Sequence, residues 1–279
     1  MKIALQLQAV NPKFWVVASQ EAEQAGFESV WVPEHLVLPV EMKGSPYAGH
    51  DEVPIPPSIP AYDAFIALAM VASATSTIRL GTHVYNIGLR HPFVTARAIT
   101  TLDVFSGGRV EFGIGASWLE EEWDAVGLDF STRGRRVDET IEICRRLWTE
   151  EVVEHHGEFF DFQPVMFEPK PIQQPIPIVV GGDSPAAMRR TATLGDGWIP
   201  MNHSLEQLRP SVDRINKMRA DAGRAGKTEV TIGGQLETAD DVQRYRDAGA
   251  DRLICRPFAS SREAIEGIRR FGDEVISKL

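Results

Sequence analysis

Residues 78–122 constrain the fold more than any other segment, because strand-like and helix-like runs alternate there at the spacing of a βαβ unit. The apolar, β-branched run Arg79–Tyr85 predicts a buried strand. Pro92 suits the first turn of the helix that follows, and Ser106–Gly108 ends that helix. A second strand is predicted over Arg109–Ile114. Parallel strands joined by a helix present ligands at their carboxyl ends.

The same alternation continues along the chain. The predicted strands begin at Lys2, Ser29, Arg79, Arg109, Ile176, Gly197, Val230 and Arg252. Eight strands, each followed by a helix, predict an α/β fold of the (β/α)8 TIM-barrel type that uses residues 1–279 as one domain. An open, doubly wound sheet is the alternative, but residues 6–9 carry no glycine where a dinucleotide-binding fingerprint would need one.

Two insertions interrupt the repeat, one after strand two and one after strand four. Residues 36–60 are rich in proline and have no periodicity, which is typical of a functional loop; we interpret them as a lid over the active site, with a surface insertion as the alternative. Residues 150–175 form the second insertion and predict a β-hairpin at the barrel rim.

Composition excludes several classes of protein. The formal net charge of −10 argues against a nucleic-acid partner, because phosphate backbones need a basic surface. No run of about eighteen apolar residues predicts a membrane helix. Two cysteines are too few for a disulfide framework, and the first residues do not have the pattern of a signal peptide. We therefore expect a cytoplasmic protein.

The clearest ligand signal follows the predicted fifth strand. Gly181 and Gly182 end an apolar run, and Asp183-Ser184 precede a helix that starts with a proline. Backbone N–H groups at such a helix start bind phosphate without basic side chains. An ordinary strand–helix turn is the alternative, and the carboxylate of Asp183 would have to turn away from an anion.

Histidines near strand ends are the candidates for proton transfer. Glu34-His35 follows the second strand, on the face where barrels carry their catalytic groups, and His83 lies near the end of the third. For either histidine, a hydrogen bond to the rim backbone is the structural alternative. His155 and His156 are adjacent, point to opposite sides of a strand, and do not predict a metal site.

Two acidic features are interpreted as structural. Glu111 alternates with apolar neighbours, and we expect it to form a buried ion pair with Arg79 or Arg97. Residues 120–122 are three consecutive glutamates, which we interpret as the solvated start of a helix.

Short motifs in order along most of the chain resemble the luciferase-like monooxygenase superfamily, which includes bacterial luciferase and the deazaflavin (coenzyme F420)-dependent oxidoreductases. The matching pieces are residues 26–35 (GFESVWVPEH), 79–82 (RLGT), 90–92 (RHP), 101–103 (TLD) through 108–109 (GR), 113–115 (GIG), 118–122 (WLEEE), 177–182 (PIVVGG) and 195–198 (GDGW). The length of the chain resembles the F420-dependent branch most.

The resemblance assigns roles to residues at the strand ends. It implies a cis peptide bond at His83-Val84 behind the ring of the cofactor, an acid/base role for His35 with Glu34 beside it, and a phosphate site at residues 181–184. The full set of cofactor-binding candidates is Thr82, His83, Val84, Gly115, Ala116, Gly181, Gly182, Asp183 and Ser184. Trp118 and Asn86 are the candidates for substrate binding.

Two departures from the family pattern bear on the activity. Bacterial luciferase has an arginine for the flavin phosphate where this chain has Ala116, which weakens the case for tight FMN binding. The sugar-phosphate dehydrogenase of the family has a catalytic glutamate where this chain has Trp118, which argues against that sugar chemistry and favours an apolar substrate wall.

Three hypotheses follow. The first is an F420-dependent oxidoreductase that transfers a hydride between the deazaflavin and a small organic substrate. The second is an FMN-dependent monooxygenase that uses reduced flavin and O2 and needs a flavin reductase as partner. The third is a non-catalytic barrel that binds a flavin or another small molecule. The resemblance also implies a homodimer.

Overall fold

The computed structural model describes residues 1–45, 53–234, 236 and 238–279. They form a closed barrel of parallel strands surrounded by helices, so the predicted fold class is confirmed. The first strand pairs with both the second and the last, and this pairing closes the sheet on itself. Of the predicted lid at 36–60, residues 46–52 lie outside the described part of the chain.

The strands alternate with the helices as the sequence predicts. The strands are β1 (Lys2–Gln6), β2 (Ser29–Val32), β3 (Arg79–Thr82), β4 (Tyr85–Asn86), β5 (Val110–Gly115), β6 (Val152–His156), β7 (Asp161–Met166), β8 (Ile178–Gly181), β9 (Gly197–Ile199), β10 (Glu229–Gly233) and β11 (Arg252–Cys255). The barrel consists of these strands without β6 and β7. β3 and β4 together occupy the position of the third barrel strand.

The helices pack around the barrel and bury one face each. They are α1 (Trp15–Gln24), α2 (Ala64–Ala74), α3 (Pro92–Ser106), α4 (Glu120–Ala125), α5 (Arg133–Thr149), α6 (Pro185–Leu194), α7 (Leu205–Asp221), α8 (Ala239–Ala248) and α9 (Ala264–Glu274). Within the described ranges, none is long and apolar enough to cross a membrane.

The third barrel strand differs from the single strand that is predicted at Arg79–Tyr85. It is interrupted at His83-Val84, whose peptide bond is cis, as the family resemblance implies. The neighbouring strand is adapted to this interruption, because a Cβ at Gly113 would lie 1.8 Å from the carbonyl oxygen of Thr82. A glycine at position 113 therefore allows the two backbones to approach.

An ionic cluster fills the amino-terminal end of the barrel. The guanidinium of Arg252 is fully buried and pairs with Glu28 at 2.9 Å, Glu111 at 3.2 Å and Glu229 at 2.6 Å. Arg79 pairs with Glu111 at 2.6 Å, so the expected structural ion pair is present. Charges buried this deeply are tolerated because each has a hydrogen-bonded partner of opposite sign.

The insertion at 150–175 forms the predicted hairpin, with β6 and β7 antiparallel. It lies against the outside of α3 and α5. The ring of Phe162 packs on Phe93 of α3 at 4.7 Å, and His155 Nε2 lies 3.0 Å from the carboxylate of Glu139 in α5. The hairpin buries one side of its two strands against the apolar faces of these outer helices, and its other side stays exposed.

The carboxylate of Glu23 in α1 holds the turn between α2 and β3. Its Oε1 accepts hydrogen bonds from the backbone N–H groups of Ser76, Thr77 and Ile78 at 2.8, 2.5 and 2.9 Å. Burial acts to raise the pKa of Glu23, but these hydrogen bonds outweigh it and lower the pKa from 4.5 to about 2.

We predict that the stabilisation from Glu23 depends on pH. Because the folded pKa lies below the unfolded value, this stabilisation is complete above pH 4.5 and declines as the pH falls towards 2. Glu23→Gln should lower the free energy of unfolding by about 1–2 kcal/mol at neutral pH, and the difference should shrink in acid. Urea unfolding at several pH values measures this, with Glu274→Gln at the exposed end of α9 as control. A pH-independent difference would contradict it.

Candidate active site

A cleft of about 1290 Å³ opens at the carboxyl ends of the strands. Its walls come from the segments that follow β1, β2, β4, β5, β8 and β9, which is where a parallel barrel places its ligands. Of the residues singled out from the sequence, these line the cleft: Glu34, His35, His83, Val84, Asn86, Gly115, Ala116, Trp118, Gly181, Gly182, Asp183 and Ser184.

Thr82 is the one candidate that does not line the cleft. Its side chain is buried, and its Oγ1 donates a hydrogen bond to the carbonyl of Gly113 at 2.6 Å. This hydrogen bond joins the third barrel strand to β5, just before the interruption at His83-Val84. The geometry therefore gives Thr82 a structural position, behind the residues that face the cleft.

The floor of the cleft is the segment His83-Val84. A Cβ at Gly115 would lie 2.7 Å from Val84 Cγ2, and one at Gly181 would lie 3.1 Å from Val84 Cγ1. The two glycines thus leave room for the valine between the strand ends. Burial lowers the pKa of His83 to about 4, so this histidine is neutral at physiological pH. The floor is accordingly uncharged, and Val84 gives it an apolar surface.

A buried carboxylate, Glu122, organises the polar side of the cleft. Its Oε1 accepts a hydrogen bond from the backbone N–H of Leu36 at 2.7 Å. Its Oε2 lies 3.2 Å from His35 Nδ1, 3.3 Å from Asn86 Nδ2 and 3.4 Å from Ser117 Oγ. Glu122 is fully buried. One side chain from α4 therefore holds the loops that follow three different strands.

The position of Glu122 corrects the interpretation of residues 120–122 as a solvated helix start. Glu120 is exposed, but Glu122 points into the protein beside Trp123, which is also buried. The reason lies in the turn before α4, where Ser117 adopts a left-handed conformation with φ of 64° and turns the chain back over the cleft. The apolar residues around the glutamates, Leu119 and Trp123, are the sequence signal that could have marked this helix as half buried.

The hydrogen bond to Glu122 fixes the state of His35. A carboxylate can only accept, so Nδ1 of His35 carries the proton and donates it. Nε2 is the other ring nitrogen, and no described residue forms a hydrogen bond with it. Trp118 packs edge-on against the imidazole, with the ring centroids 6.3 Å apart. His35 therefore presents Nε2 as its free proton acceptor or donor.

Glu34 is engaged in a structural ion pair. Its Oε1 accepts from Arg90 Nη2 at 2.5 Å, and its Oε2 accepts from the backbone N–H of Asn86 at 3.0 Å. The side chain of Asn86 in turn contacts Glu122. Glu34 thus positions Asn86 and the loop after β4. The ring nitrogen that stays free beside it is Nε2 of His35.

The other end of the cleft has the geometry of an anion site. Ser184 caps α6 by accepting a hydrogen bond from the N–H of Ala187 at 3.1 Å, and Gly182 has a φ of 112° that suits only glycine. Asp183 turns away, because its carboxylate accepts from the N–H groups of Met201 and Asn202. Its oxygens are therefore bonded to the segment after β9 and not to the start of α6.

Two polar groups at this end were not marked by the sequence. Arg133 lines the cleft with its guanidinium stacked 3.9 Å from the ring centroid of Phe130. His203 joins Asp183 to Ser211, with Nδ1 3.0 Å from the carboxylate and Nε2 2.9 Å from the hydroxyl. Both follow from the folding of helices after β5 and β9, and neither lies in a motif that indicates a ligand.

The two histidines of the hairpin, His155 and His156, are each paired with a carboxylate. His155 lies 3.0 Å from Glu139, and His156 lies 2.5 Å from Asp161, on opposite sides of the strand. Across the described ranges, no group of three or more acidic, histidine or cysteine side chains is arranged to hold a metal ion.

The fold and the cleft define a (β/α)8-barrel protein with an open cleft at the carboxyl ends of the strands. Residues 5–272 match the model of the luciferase-like monooxygenase family, and the chain belongs to that family. It is an oxidoreductase of this family, so the prediction of an enzyme is confirmed.

Three relatives show the range of the family. An uncharacterised protein of Mycobacterium tuberculosis is 31% identical over 277 residues, which cover 95% of this chain and 96% of that protein. An F420-dependent glucose-6-phosphate dehydrogenase of Kineococcus radiotolerans is 33% identical over 64% of this chain and 49% of its own. An FMNH2-dependent dimethylsulfone monooxygenase of Pseudomonas putida is 31% identical over 66% of this chain and 49% of its own.

Solved structures share the fold. A coenzyme F420-dependent tetrahydromethanopterin reductase from Methanopyrus kandleri superimposes with a TM-score of 0.79 at 17% identity, covering 99% of each chain. An F420-dependent secondary alcohol dehydrogenase, solved with an F420-acetone adduct, gives a TM-score of 0.78 at 16% identity, covering 99% of this chain and 98% of that one. At such identities the likeness establishes the fold alone.

We predict that Glu122 sets the tautomer of His35. Glu122→Gln keeps the size of the side chain but removes the charge that His35 Nδ1 and the Leu36 N–H now contact. We expect the Nδ1-protonated form to lose its preference and the free energy of unfolding to fall by about 1–3 kcal/mol. Long-range ¹H–¹⁵N spectra of the imidazole, assigned with His35→Asn, measure the first effect. Glu120→Gln, one exposed residue in the same helical turn, is the control and should leave both unchanged.

Proposed function

We propose that this protein is an F420-dependent oxidoreductase that acts on a small organic substrate. The observation that carries the proposal is the pair His35–Glu122 at the edge of the cleft, with Nδ1 fixed and Nε2 free. Exchange of a hydride with an alcohol or carbonyl carbon requires a proton to enter or leave the oxygen. An oriented imidazole beside the cleft floor supplies that function.

The residues of the cleft fit a deazaflavin. The apolar floor at Val84, for which Gly115 and Gly181 leave room, suits one face of a flat ring, and the start of α6 at Ser184 suits a phosphate. Arg133 lies on the same side as this helix start and adds positive charge for an anionic tail. When bound, the deazaflavin would supply or accept the hydride.

His35 would act as the proton donor or acceptor for the substrate oxygen through Nε2. Glu122 would orient the ring and stabilise its positive charge when a proton is bound. Trp118, packed edge-on against His35, would form an apolar wall for the substrate, and Asn86 would hold Glu122 in place rather than touch the substrate. Glu34, paired with Arg90, would keep the loop of Asn86 rigid.

FMN is the second candidate cofactor, favoured by the FMNH2-dependent relative of Pseudomonas putida. In that case the enzyme would be a monooxygenase supplied by a separate flavin reductase. Ala116 lies in the cleft with no positive charge of its own, which makes this the weaker candidate. Titration of the purified apoprotein with F420 and with FMN, each oxidised and reduced, separates the two. Tight binding of FMN without affinity for F420 would reverse the ranking.

We predict that His35→Asn lowers kcat by roughly 10²–10⁴-fold with alcohol or carbonyl substrates, because general acid–base catalysis contributes about this much. The dissociation constant of F420 should change little, since the substitution leaves the floor and the anion site intact. His91→Asn is the matched control, because His91 caps α3 outside the cleft and asparagine also caps helices well. Equal losses in both variants, or none in His35→Asn across a broad panel, would contradict the role.

We also propose that the protein is a homodimer that associates through the outer faces of α2 and α3. Four large apolar side chains are exposed there: Ile66, Met70, Val94 and Phe105. Phe105 alone is 82% exposed. Clusters of exposed apolar side chains mark protein interfaces when they form a contiguous patch. Burial against a second copy of the chain would remove it from water.

The variant Phe105→Glu should convert the dimer to a monomer, because it would place a charge in an apolar interface. Sedimentation at several protein concentrations measures the change. Met166→Glu is the control, since Met166 is exposed on the hairpin and away from this face. A wild-type protein that sediments as a monomer at all concentrations would contradict the proposal.

A further inference from the structure

A second chamber, which we call the side pocket, joins the cleft beside His35. It has a volume of about 330 Å³. Gln8, Pro33, Glu34, His35 and Ile55 line both the cleft and the side pocket. A molecule that reached from one to the other would therefore pass the imidazole.

The walls of the side pocket are apolar and aromatic. The apolar and aromatic residues among its lining are Val10, Trp15, Leu38, Ile55, Ile59 and Tyr62. The indole N–H of Trp15 is already used, since it donates to the carbonyl of Val10 at 2.8 Å. Tyr62 packs edge-on against Trp15 with the ring centroids 5.4 Å apart. The indole thus presents only its apolar surface to a ligand.

Positive charge is missing from this end of the site. Among the described residues that line the side pocket, no lysine or arginine occurs, and the carboxylate of Glu34 is held by Arg90 behind the wall. The groups that suit an anion, Ser184 at the start of α6 and Arg133, line the cleft but not the side pocket. A phosphate or carboxylate on the substrate would consequently lose its hydration here without a partner.

We propose that the side pocket holds the apolar part of the substrate, and that the substrate is a small uncharged molecule whose one polar oxygen reaches Nε2 of His35. Since a water molecule takes about 30 Å³ of liquid volume, the pocket has room for roughly ten non-hydrogen atoms. This inference rests on the proposed function for the role of His35, but it defines a class of substrate that the fold does not.

The test measures binding to the apoprotein, so that it does not require a cofactor. Cyclohexanone serves as the uncharged probe and glucose 6-phosphate as the charged one, with affinities measured by saturation-transfer NMR. We expect cyclohexanone to bind and glucose 6-phosphate not to displace it, because the groups that suit the phosphate line the cleft and not the side pocket. Displacement of cyclohexanone by glucose 6-phosphate, or no binding of cyclohexanone up to its solubility limit, would overturn the proposal.

Two variants locate the bound probe. Ile59→Trp fills the side pocket and should weaken cyclohexanone binding at least tenfold, while Ile172→Trp, on an exposed segment outside it, should have no effect. Leu38→Ala enlarges the pocket and should improve binding of 4-tert-butylcyclohexanone relative to cyclohexanone, which a misfolded protein could not do. Equal affinities in wild type and Ile59→Trp would place the probe elsewhere and overturn the proposal.

The affinity for F420 is measured separately in the same variants. Because neither Ile59 nor Leu38 lines the main cleft, both variants should bind F420 as the wild type does. If the wild type binds cyclohexanone but not F420, the proposed function alone is contradicted. If it binds F420 but not cyclohexanone, the proposed role of the side pocket alone is contradicted.

Discussion

One buried carboxylate connects the parts of the active site. Glu122 accepts hydrogen bonds from groups in β4 and in the segments that follow β2 and β5, and without it Leu36, His35 and Asn86 would lose an acceptor. Each buried donor left unpaired costs about 1–3 kcal/mol, more than the small net gain of making one such bond. The loops are thus held together chiefly because separating them from Glu122 is costly, and the orientation of the imidazole follows from that constraint.

The barrel separates its charged groups into two layers with different purposes. At the amino-terminal end, Arg252 is surrounded by three carboxylates, and its positive charge is fully engaged in holding strands together. At the carboxyl end, Glu122 has no arginine partner and is satisfied by neutral donors and by His35. A carboxylate bonded in this way orients the adjacent imidazole and leaves its Nε2 without a hydrogen-bond partner among the described residues.

The sequence indicates the fold well because the information is local. Apolar runs that end in glycine, such as the one before Gly181-Gly182, give both the strand and the end of it that faces the ligand. It indicates the floor at His83-Val84 only through the family resemblance, since no pattern in the run Arg79–Tyr85 marks an interruption. Glu122 could not be identified from the three consecutive glutamates, because that pattern is the same whether or not one of them is buried; only the apolar neighbours Leu119 and Trp123 indicate a half-buried helix. Which glutamate is buried depends on contacts with Leu36 and Asn86 from other parts of the barrel, which is a tertiary property.

The polarity of the combined site would allow an acidic protein to accept the anionic cofactor that we propose. The net charge of −10 disfavours anions at a distance, but the start of α6 provides backbone N–H groups whose effect is confined to one turn. Arg133 adds a cation to this cleft. The described residues that line the side pocket include no lysine or arginine, so an anion is favoured at one end of the site and an apolar group at the other. His35 lies between the two ends, which is where a reaction between a phosphorylated cofactor and an uncharged substrate would need its proton.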